Sequence, residues 1–190
     1  MKAVAICGSP REKGNTEILL QKCLDVLGAA GLETELVPLA ERRIEACTAC
    51  KECFQNKDKR CVIDEDDFHE VFEKMVEAEI IVVGSPTHYG SATPKLTALL
   101  DRAGYVSRAN GELFQRKLGG PVAVARRAGQ NFTYAQMLFW YFINGMVVPG
   151  STYWNVGFGL EPGDIHNDKE ALETIRGFAE NLAWLAKKLQ

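Results

Sequence analysis

Short apolar runs alternate along this chain with amphipathic helical segments, and this alternation limits the possible folds more than any other feature. Residues 80–83 are almost entirely apolar, which is typical of a strand covered on both faces. The pattern predicts strands at residues 3–7, 33–39, 80–83, 121–125 and 146–148. It predicts helices at residues 16–30, after Asp64, after the cap Thr93 and Pro94, at residues 130–144, and after Asn167 or Asp168.

Strands and helices in this order form βαβ units, in which right-handed crossovers join parallel strands. We therefore predict an α/β fold with a doubly wound, five-stranded parallel sheet, helices on both faces, and a single domain over residues 1–190. Ligands of such sheets bind beyond the carboxyl ends of the strands. The loops after the first, third and fourth strands are therefore the places to search for chemistry.

Charge and cysteine usage narrow the classes of function. The net charge of −3, without blocks of like charge, argues against nucleic acid or an anionic membrane as a partner. The sequence has no signal-peptide pattern and no run of transmembrane length, so we expect a cytoplasmic protein. Six cysteines in such a chain indicate reduced thiols or metal ligands, and Cys7 and Cys23 fall on core-facing positions.

The loop at residues 8–16 has the features of an anion site between a strand and a helix. Backbone N–H groups at a helix N-terminus point toward an anion, and Ser9, Asn15 and Thr16 add side-chain donors while Arg11 adds a charge. The loop lacks both the dinucleotide pattern Gly-x-Gly-x-x-Gly and the Gly-Lys-Ser/Thr ending of a nucleotide phosphate loop. A monophosphate is the expected ligand; the alternative is an ordinary polar turn.

Two further loops could enclose a flat ring beside that phosphate. Residues 84–95 offer an aromatic face at Tyr89 and close backbone approach at Gly90. His88 is a weak candidate for an acid or base, because a lone loop histidine more often packs or forms hydrogen bonds. Residues 126–131 carry Arg126 and Arg127, which could serve an anionic reduced flavin or a nucleotide phosphate, or form a solvated surface pair.

Four cysteines lie in a cysteine-rich loop at residues 45–63, here called the cysteine unit. Cys47, Cys50 and Cys53 form Cys-x-x-Cys-x-x-Cys, and Cys61 follows as a fourth thiol. This spacing suits a [4Fe-4S] cluster, as in compact ferredoxin motifs. Zinc and a set of free redox-active thiols remain as alternatives. We expect this loop to lie near the edge of the flat ring, which would be a flavin.

The segment at residues 130–144 is dense in aromatic side chains. The favoured interpretation is a helix that packs in the core or contacts another subunit, because aromatic residues dominate such burial. The alternative is that some of its rings line the mouth of a cofactor site and accept a flat quinone or nitroaromatic.

Residues 8–11 and 14–16, followed by residues 85–91, resemble the NADPH-dependent FMN reductase and flavodoxin-like iron–sulfur flavoprotein family over nearly the whole chain. The cysteine motif is similar to that of the iron–sulfur branch, with a longer fourth gap. The resemblance implies a flavodoxin-like sheet, FMN bound without a covalent link, and a homodimer or homotetramer with each flavin near a subunit boundary. The cofactor-binding residues expected are Ser9, Pro10, Arg11, Gly14, Asn15, Thr16, Pro86, Thr87, His88, Tyr89, Gly90, Arg127 and Gly129.

The predicted function is an FMN-dependent oxidoreductase of the NAD(P)H-dependent FMN reductase type. It would pass electrons from a reduced nicotinamide or other donor to an iron–sulfur cluster, a quinone or another small acceptor. Since the flavin N5 carries the chemistry, no catalytic side chain is required. The alternatives are an electron carrier that docks on redox partners such as a ferredoxin-like protein, and a redox or metal sensor built on the cysteines.

Overall fold

The computed structural model describes residues 1–189. Its five strands form one parallel sheet in the order β2-β1-β3-β4-β5. The strands are β1 (Lys2–Cys7), β2 (Glu33–Pro38), β3 (Ile80–Pro86), β4 (Leu118–Ala125) and β5 (Val156–Phe158). The helices are α1 (Asn15–Ala29), α2 (Glu52–Asn56), α3 (Phe68–Glu77), α4 (Pro94–Ala109), α5 (Gln130–Ile143) and α6 (Lys169–Lys188). This strand order is the flavodoxin-like form of the doubly wound sheet, so the predicted fold is confirmed.

The sheet separates two hydrophobic cores. Because side chains alternate along a strand, Val4 and Ile6 pack on the face covered by α3, α4 and α5, whereas Ala3 and Ala5 pack on the face covered by α1 and α6. The strand at the centre, β3, is buried over Ile80–Ser85. Its burial on both faces explains its continuous apolar sequence.

The predicted fifth strand at residues 146–148 is wrong. Only Val147 forms a bridge there, with Leu118 at the start of β4. The chain then leaves the sheet over residues 148–155 and returns to pair with the end of β4 at Val156–Phe158. Pro149 has no N–H group to continue the ladder, so the apolar run ends after one bridge and the strand forms later.

The helix starts follow the predicted chemistry with two corrections. Asp168 accepts a hydrogen bond from Ala171 N and caps α6, as expected. Thr93 precedes Pro94 at the start of α4, but its hydroxyl donates to Gly8 O instead of capping the helix. The prediction that Asp64 caps α3 is wrong, because the helix begins at Phe68, three residues further along than such a cap allows. Since α3 starts later, Asp64 lies outside it.

The cysteines outside the cysteine unit are core residues, as predicted. Cys7 and Cys23 are buried between the sheet and α1. Burial raises the pKa of each thiol to about 12. Both thiols are therefore protonated and unreactive at neutral pH.

The aromatic helix α5 is apolar on two sides. Met137, Trp140 and Tyr141 are buried against the sheet, and the Tyr141 hydroxyl donates to Gly120 O at 2.9 Å. Phe139 and Phe142 are exposed on the other side. The core part of the favoured interpretation is confirmed.

Within residues 1–189, no helix has both the length and the apolar composition needed to cross a membrane.

Candidate functional site

A cavity opens at the carboxyl ends of β1, β3 and β4, where the fold places ligands. Nine of the predicted cofactor residues line it: Ser9, Pro10, Arg11, Gly14, Asn15, Thr16, Pro86, Thr87 and His88. Arg126, considered above for an anionic ligand, also lines it, and four residues that sequence reasoning missed complete it: Val124, Gly159, Leu160 and Pro162. Its volume of 190 Å³ equals about six waters at roughly 30 Å³ each, which is room for a phosphate. A larger ligand therefore has to extend through the open side of the cavity.

The first loop presents unpaired backbone donors to this cavity. A Cβ at Gly8 would lie 2.8 Å from Leu96 Cβ, so glycine lets the loop pass close to α4. Gly14 precedes α1, where no side chain caps the helix. The first helical N–H bond runs from Ile18 N to Gly14 O, so the N–H groups of residues 15–17 have no acceptor within the helix. An anion in the cavity would satisfy them.

The loop at residues 159–165, after β5, forms the cavity wall that sequence reasoning missed. Asn15 Nδ2 donates to Glu161 O at 2.9 Å, and Asn15 Oδ1 accepts from Gly163 N at 2.9 Å and Ile165 N at 3.2 Å. Arg11 Nη1 donates to Leu160 O at 2.8 Å. The Asn15 amide, predicted as a phosphate donor, thus holds this wall against the first loop. Because the fifth strand was predicted at residues 146–148, the loop directly after the observed β5 was not expected at the cavity.

The second loop contains a tight turn that projects away from the cavity. His88 and Ser91 exchange backbone hydrogen bonds of 2.9 and 3.1 Å, and Tyr89 and Gly90 between them have φ values of +52° and +83°. These angles describe a type I′ turn, in which a bulky residue such as Tyr89 is strained. Tyr89 is fully exposed, and neither Tyr89 nor Gly90 lines the cavity. The turn can therefore meet only a ligand that extends out of the cavity.

Two buried polar atoms lack partners, and one of them, Thr87 Oγ1, belongs to a residue that lines the cavity. Thr87 Oγ1 and Gln130 Oε1 are buried and have no hydrogen-bond partner within residues 1–189. Gly129, which precedes Gln130, has a φ of +89° and would bring a Cβ within 3.1 Å of Thr87 Cγ2. Because unpaired buried polar groups are costly, the Thr87 hydroxyl indicates that a polar ligand belongs in the cavity.

The two arginines of the third loop differ in position. Arg126 lines the cavity, whereas Arg127 and Gly129 do not. Both arginines are exposed. Arg126 is thus the arginine that a ligand in the cavity would meet.

The cysteine unit forms a second cleft, on the face of α4. Cys47, Cys50, Cys53 and Cys61 all line it, opposite Arg102, Tyr105 and Val106 of that helix. Within residues 1–189, no three His, Cys, Asp or Glu side chains lie close enough together to share one metal ion. The four thiols therefore face a common space without converging on a single point.

The backbone of the cysteine unit curls around this cleft. Ala49, Lys51, Lys57 and Lys59 have φ values between +52° and +63°, which are strained for residues with a side chain. Ala49 N donates to Cys47 Sγ at 3.4 Å. Left-handed residues beside right-handed ones turn successive N–H groups toward one side, which is the backbone arrangement of many iron–sulfur sites.

The thiols in the cleft affect one another. Burial first, and then the nearby thiols of Cys61, Cys50 and Cys47, raise the pKa of Cys53. A positive group such as a bound metal would favour the Cys53 thiolate, which this environment disfavours.

The cleft and the cavity do not border each other in one chain. They share no lining residue. Thr93, at the start of α4, contacts Gly8 of the first loop, whereas Arg102 contacts the cleft nine residues later. At 1.5 Å per residue, the two sites are about 14 Å apart along α4. Within one chain the cysteines therefore line a cleft separate from the cavity, and their placement near the flavin edge stays a prediction.

Comparison with known proteins agrees with this geometry. Residues 1–161 match the NADPH-dependent FMN reductase family. The chain therefore belongs to this FMN-binding, flavodoxin-like family of oxidoreductases.

The similar proteins within this family include iron–sulfur flavoproteins. One, from Methanocaldococcus jannaschii, is 35% identical over the whole of both chains. Another, from Methanosarcina thermophila, is 33% identical over 100% of this chain and 97% of the relative. Both matches span the whole of this chain, so they include residues 45–63.

Solved structures share the fold. RosB with bound 8-demethyl-8-formylriboflavin-5'-phosphate has a TM-score of 0.80 at 23% identity, covering 100% of this chain and 80% of RosB. A WrbA-like flavodoxin from Agrobacterium tumefaciens has a TM-score of 0.66 at 14% identity, covering 100% and 98%. At these identities the likeness concerns the architecture of the sheet and helices.

Proposed function

We propose that the protein is an FMN-dependent electron-transfer oxidoreductase whose flavin exchanges electrons with an iron–sulfur cluster in the cysteine unit. The observation that carries the FMN assignment is the uncapped N-terminus of α1 inside the cavity, where N–H groups of residues 15–17 have no acceptor in the helix. An FMN phosphate would accept from them and favour the positive end of the helix dipole. Arg11 and Arg126 add positive charge at the same cavity.

The ring of FMN would lie on the open side, against Pro86, Thr87 and His88. Thr87 Oγ1 is a buried polar atom of this lining without a partner, and a flavin ring supplies both donors and acceptors at its edge. FMN, when bound, supplies two-electron and one-electron redox chemistry. The protein's part is to hold the ring and limit water at its inner edge, so no side-chain nucleophile is invoked. The acid or base role of His88 stays a prediction.

The iron–sulfur assignment rests on how the cysteine unit is built. Four cysteine thiols line one cleft, and four thiolates are the ligand set of a [4Fe-4S] cluster. The left-handed residues and the Ala49 N–H bond to Cys47 suit a group with anionic sulfur. The names of the relatives at 35% and 33% identity support the same assignment.

The electron donor would be a reduced nicotinamide and the acceptor a quinone or a redox protein. The exposed charged residues of the cysteine unit are four basic ones, Lys51, Lys57, Lys59 and Arg60, and two acidic ones, Glu45 and Asp58, and this positive excess favours approach of an acidic, ferredoxin-like partner. A carrier without a small-molecule substrate is the second candidate supported by this basic surface.

Anaerobic purification tests these assignments together. We expect a yellow-brown protein with one FMN per chain, and with iron and sulfide at about four each. Steady-state NAD(P)H oxidation with a quinone is expected for the reductase; its absence, with both cofactors loaded, would favour the carrier. A colourless protein would refute FMN binding. FMN together with stoichiometric zinc and no sulfide would refute the cluster.

A further inference from the structure

Arg102 is a buried charge in a position where the helical pattern calls for an apolar residue. It lies on α4 among Leu99, Ala103 and Val106, and only 1% of it is exposed. Its guanidinium pairs with Asp66, whose side chain is also fully buried, and sits 4.0 Å from the centre of the Phe68 ring. A buried ion pair of this kind costs desolvation, so its position calls for a reason beyond stability.

The pair joins the two ends of the cysteine unit. Arg102 Nη2 donates to Ile63 O at 2.6 Å and Nη1 donates to Glu45 O at 3.3 Å. Asp66 Oδ2 accepts from Glu45 N at 2.8 Å and is bound by Arg102 as well. The segment that carries all four cysteines therefore starts and ends on this pair.

One nitrogen of the guanidinium group, Nε, has no hydrogen-bond partner within residues 1–189. This nitrogen is buried, although Arg102 lines the cleft that the four cysteines line. The two terminal nitrogens, Nη1 and Nη2, donate to the carbonyls of Glu45 and Ile63 and to Asp66. These bonds fix the plane of the group. An unpaired N–H in a buried charged group is costly unless a ligand accepts from it.

We propose that Arg102 is the positioning residue of the cysteine unit, and that its free Nε–H donates to an anionic sulfur of the group held in the cleft. The first part depends only on the contacts within the chain, whereas the second rests on the proposed cluster. Hydrogen bonds to the sulfurs of a cluster raise its reduction potential, because they stabilise the more negative reduced state. Asp66 balances the charge of Arg102, so the hydrogen bond carries the effect.

Hydrogen exchange tests the positioning role without the cluster. Arg102→Lys keeps the charge but loses the planar fork. Arg102→Met with Asp66→Asn removes both charges, so that neither is left buried alone. In FMN-loaded protein stripped of iron, we expect both variants to exchange residues 45–63 at least tenfold faster, with little change elsewhere. Arg108→Met, an exposed arginine on the same helix, is the control and should match the wild type. Unchanged exchange at residues 45–63 in both variants would overturn the positioning role.

The reduction potential of reconstituted protein tests the donor role. We expect the midpoint potential of the cluster to be 59 mV more negative in Arg102→Lys, which corresponds to a tenfold change in the one-electron reduction equilibrium. The midpoint potential of Arg108→Met should equal the wild-type value. An unchanged midpoint in Arg102→Lys would overturn the donor role. If wild-type protein takes up no iron and sulfide, the proposed cluster and the donor role both fail. The exchange result would still decide the positioning role.

Discussion

Replacement of Asn15 by alanine tests how the cavity wall is held. The side chain is buried and makes three hydrogen bonds to the loop at residues 159–165. The fit is close, because a Cβ at Gly159 would lie 2.5 Å from Asn15 Nδ2. Asn15→Ala removes all three bonds and leaves Gly163 N and Ile165 N without acceptors. The loop, and with it Leu160 and Pro162 of the cavity, should loosen.

The size of the effect follows from these bonds. At about 0.5–1.5 kcal/mol each, the three bonds contribute about 1.5–4.5 kcal/mol in total. FMN binding requires the wall in place, so we assign about 2 kcal/mol of this to the binding step. Since each 1.4 kcal/mol is tenfold, Asn15→Ala should raise the Kd for FMN by roughly 30-fold.

Fluorescence titration of FMN into the apoprotein measures this Kd, and hydrogen exchange reports on residues 159–165. Asn15→Asp keeps the acceptor for Gly163 N but sets a negative charge beside the expected phosphate, so it should preserve more loop protection and still bind FMN poorly. Asn56→Ala, an exposed asparagine outside the cavity, is the control. A wild-type Kd in Asn15→Ala, together with unchanged exchange in the loop, would refute this account of the wall.

Three further changes test other parts of the molecule. Cys50→Ser should abolish the iron and sulfide signal while FMN is retained; elemental analysis would contradict this if iron stayed at the wild-type level. Tyr89→Ala should alter turnover and flavin potential more than FMN affinity, and no change in either would place the ring away from the turn. The hydrogen bond from Arg42 lowers the pKa of Glu70 to about 2, so this pair stabilises the fold above about pH 4.5 and is lost as pH falls toward 2. In urea unfolding, Glu70→Gln should reduce the loss of unfolding free energy at acid pH by less than about 1 kcal/mol, because the pair is exposed. An unchanged dependence of the unfolding free energy on pH would contradict this prediction.

Local signals predicted the sheet and the first loop well. The apolar period at β3 and the Gly-Ser-Pro-Arg loop before α1 depend on near neighbours in sequence, so both could be inferred without the structure. The fifth strand could not, because Val147 and Val156 both pair with one edge of β4, at Leu118 and Ala123, and only the second pairing continues as a ladder. Apolar composition alone favoured a strand at residues 146–148. Because of that error, Gly159 and Leu160 were not expected at the cavity. Their loop is held there by contacts with Arg11 and Asn15.

Arg102 shows a different limit. A signal was present in the sequence, because an arginine occupies the helical stripe of Leu96, Leu99 and Val106. Its partner Asp66 lies 36 residues away, before α3, and no local pattern joins them. A charged residue on an apolar helix face is therefore worth treating as a candidate site even when its partner is unknown.

The exposed side of α5 predicts self-association. Phe132, Phe139 and Phe142 are 75%, 67% and 58% exposed, and the opposite side of the helix is in the core. A helix apolar on both sides needs a partner for each, and a second copy across a two-fold axis would bury the same stripe twice. At about 1.5–3 kcal/mol per buried phenylalanine, Phe139→Ser with Phe142→Ser should dissociate the oligomer into monomers. Light scattering measures the mass, with Trp184→Ser, an exposed aromatic on α6, as the control. A monomeric wild-type protein at tens of micromolar, or an oligomer that survives both serines, would contradict this use of the helix.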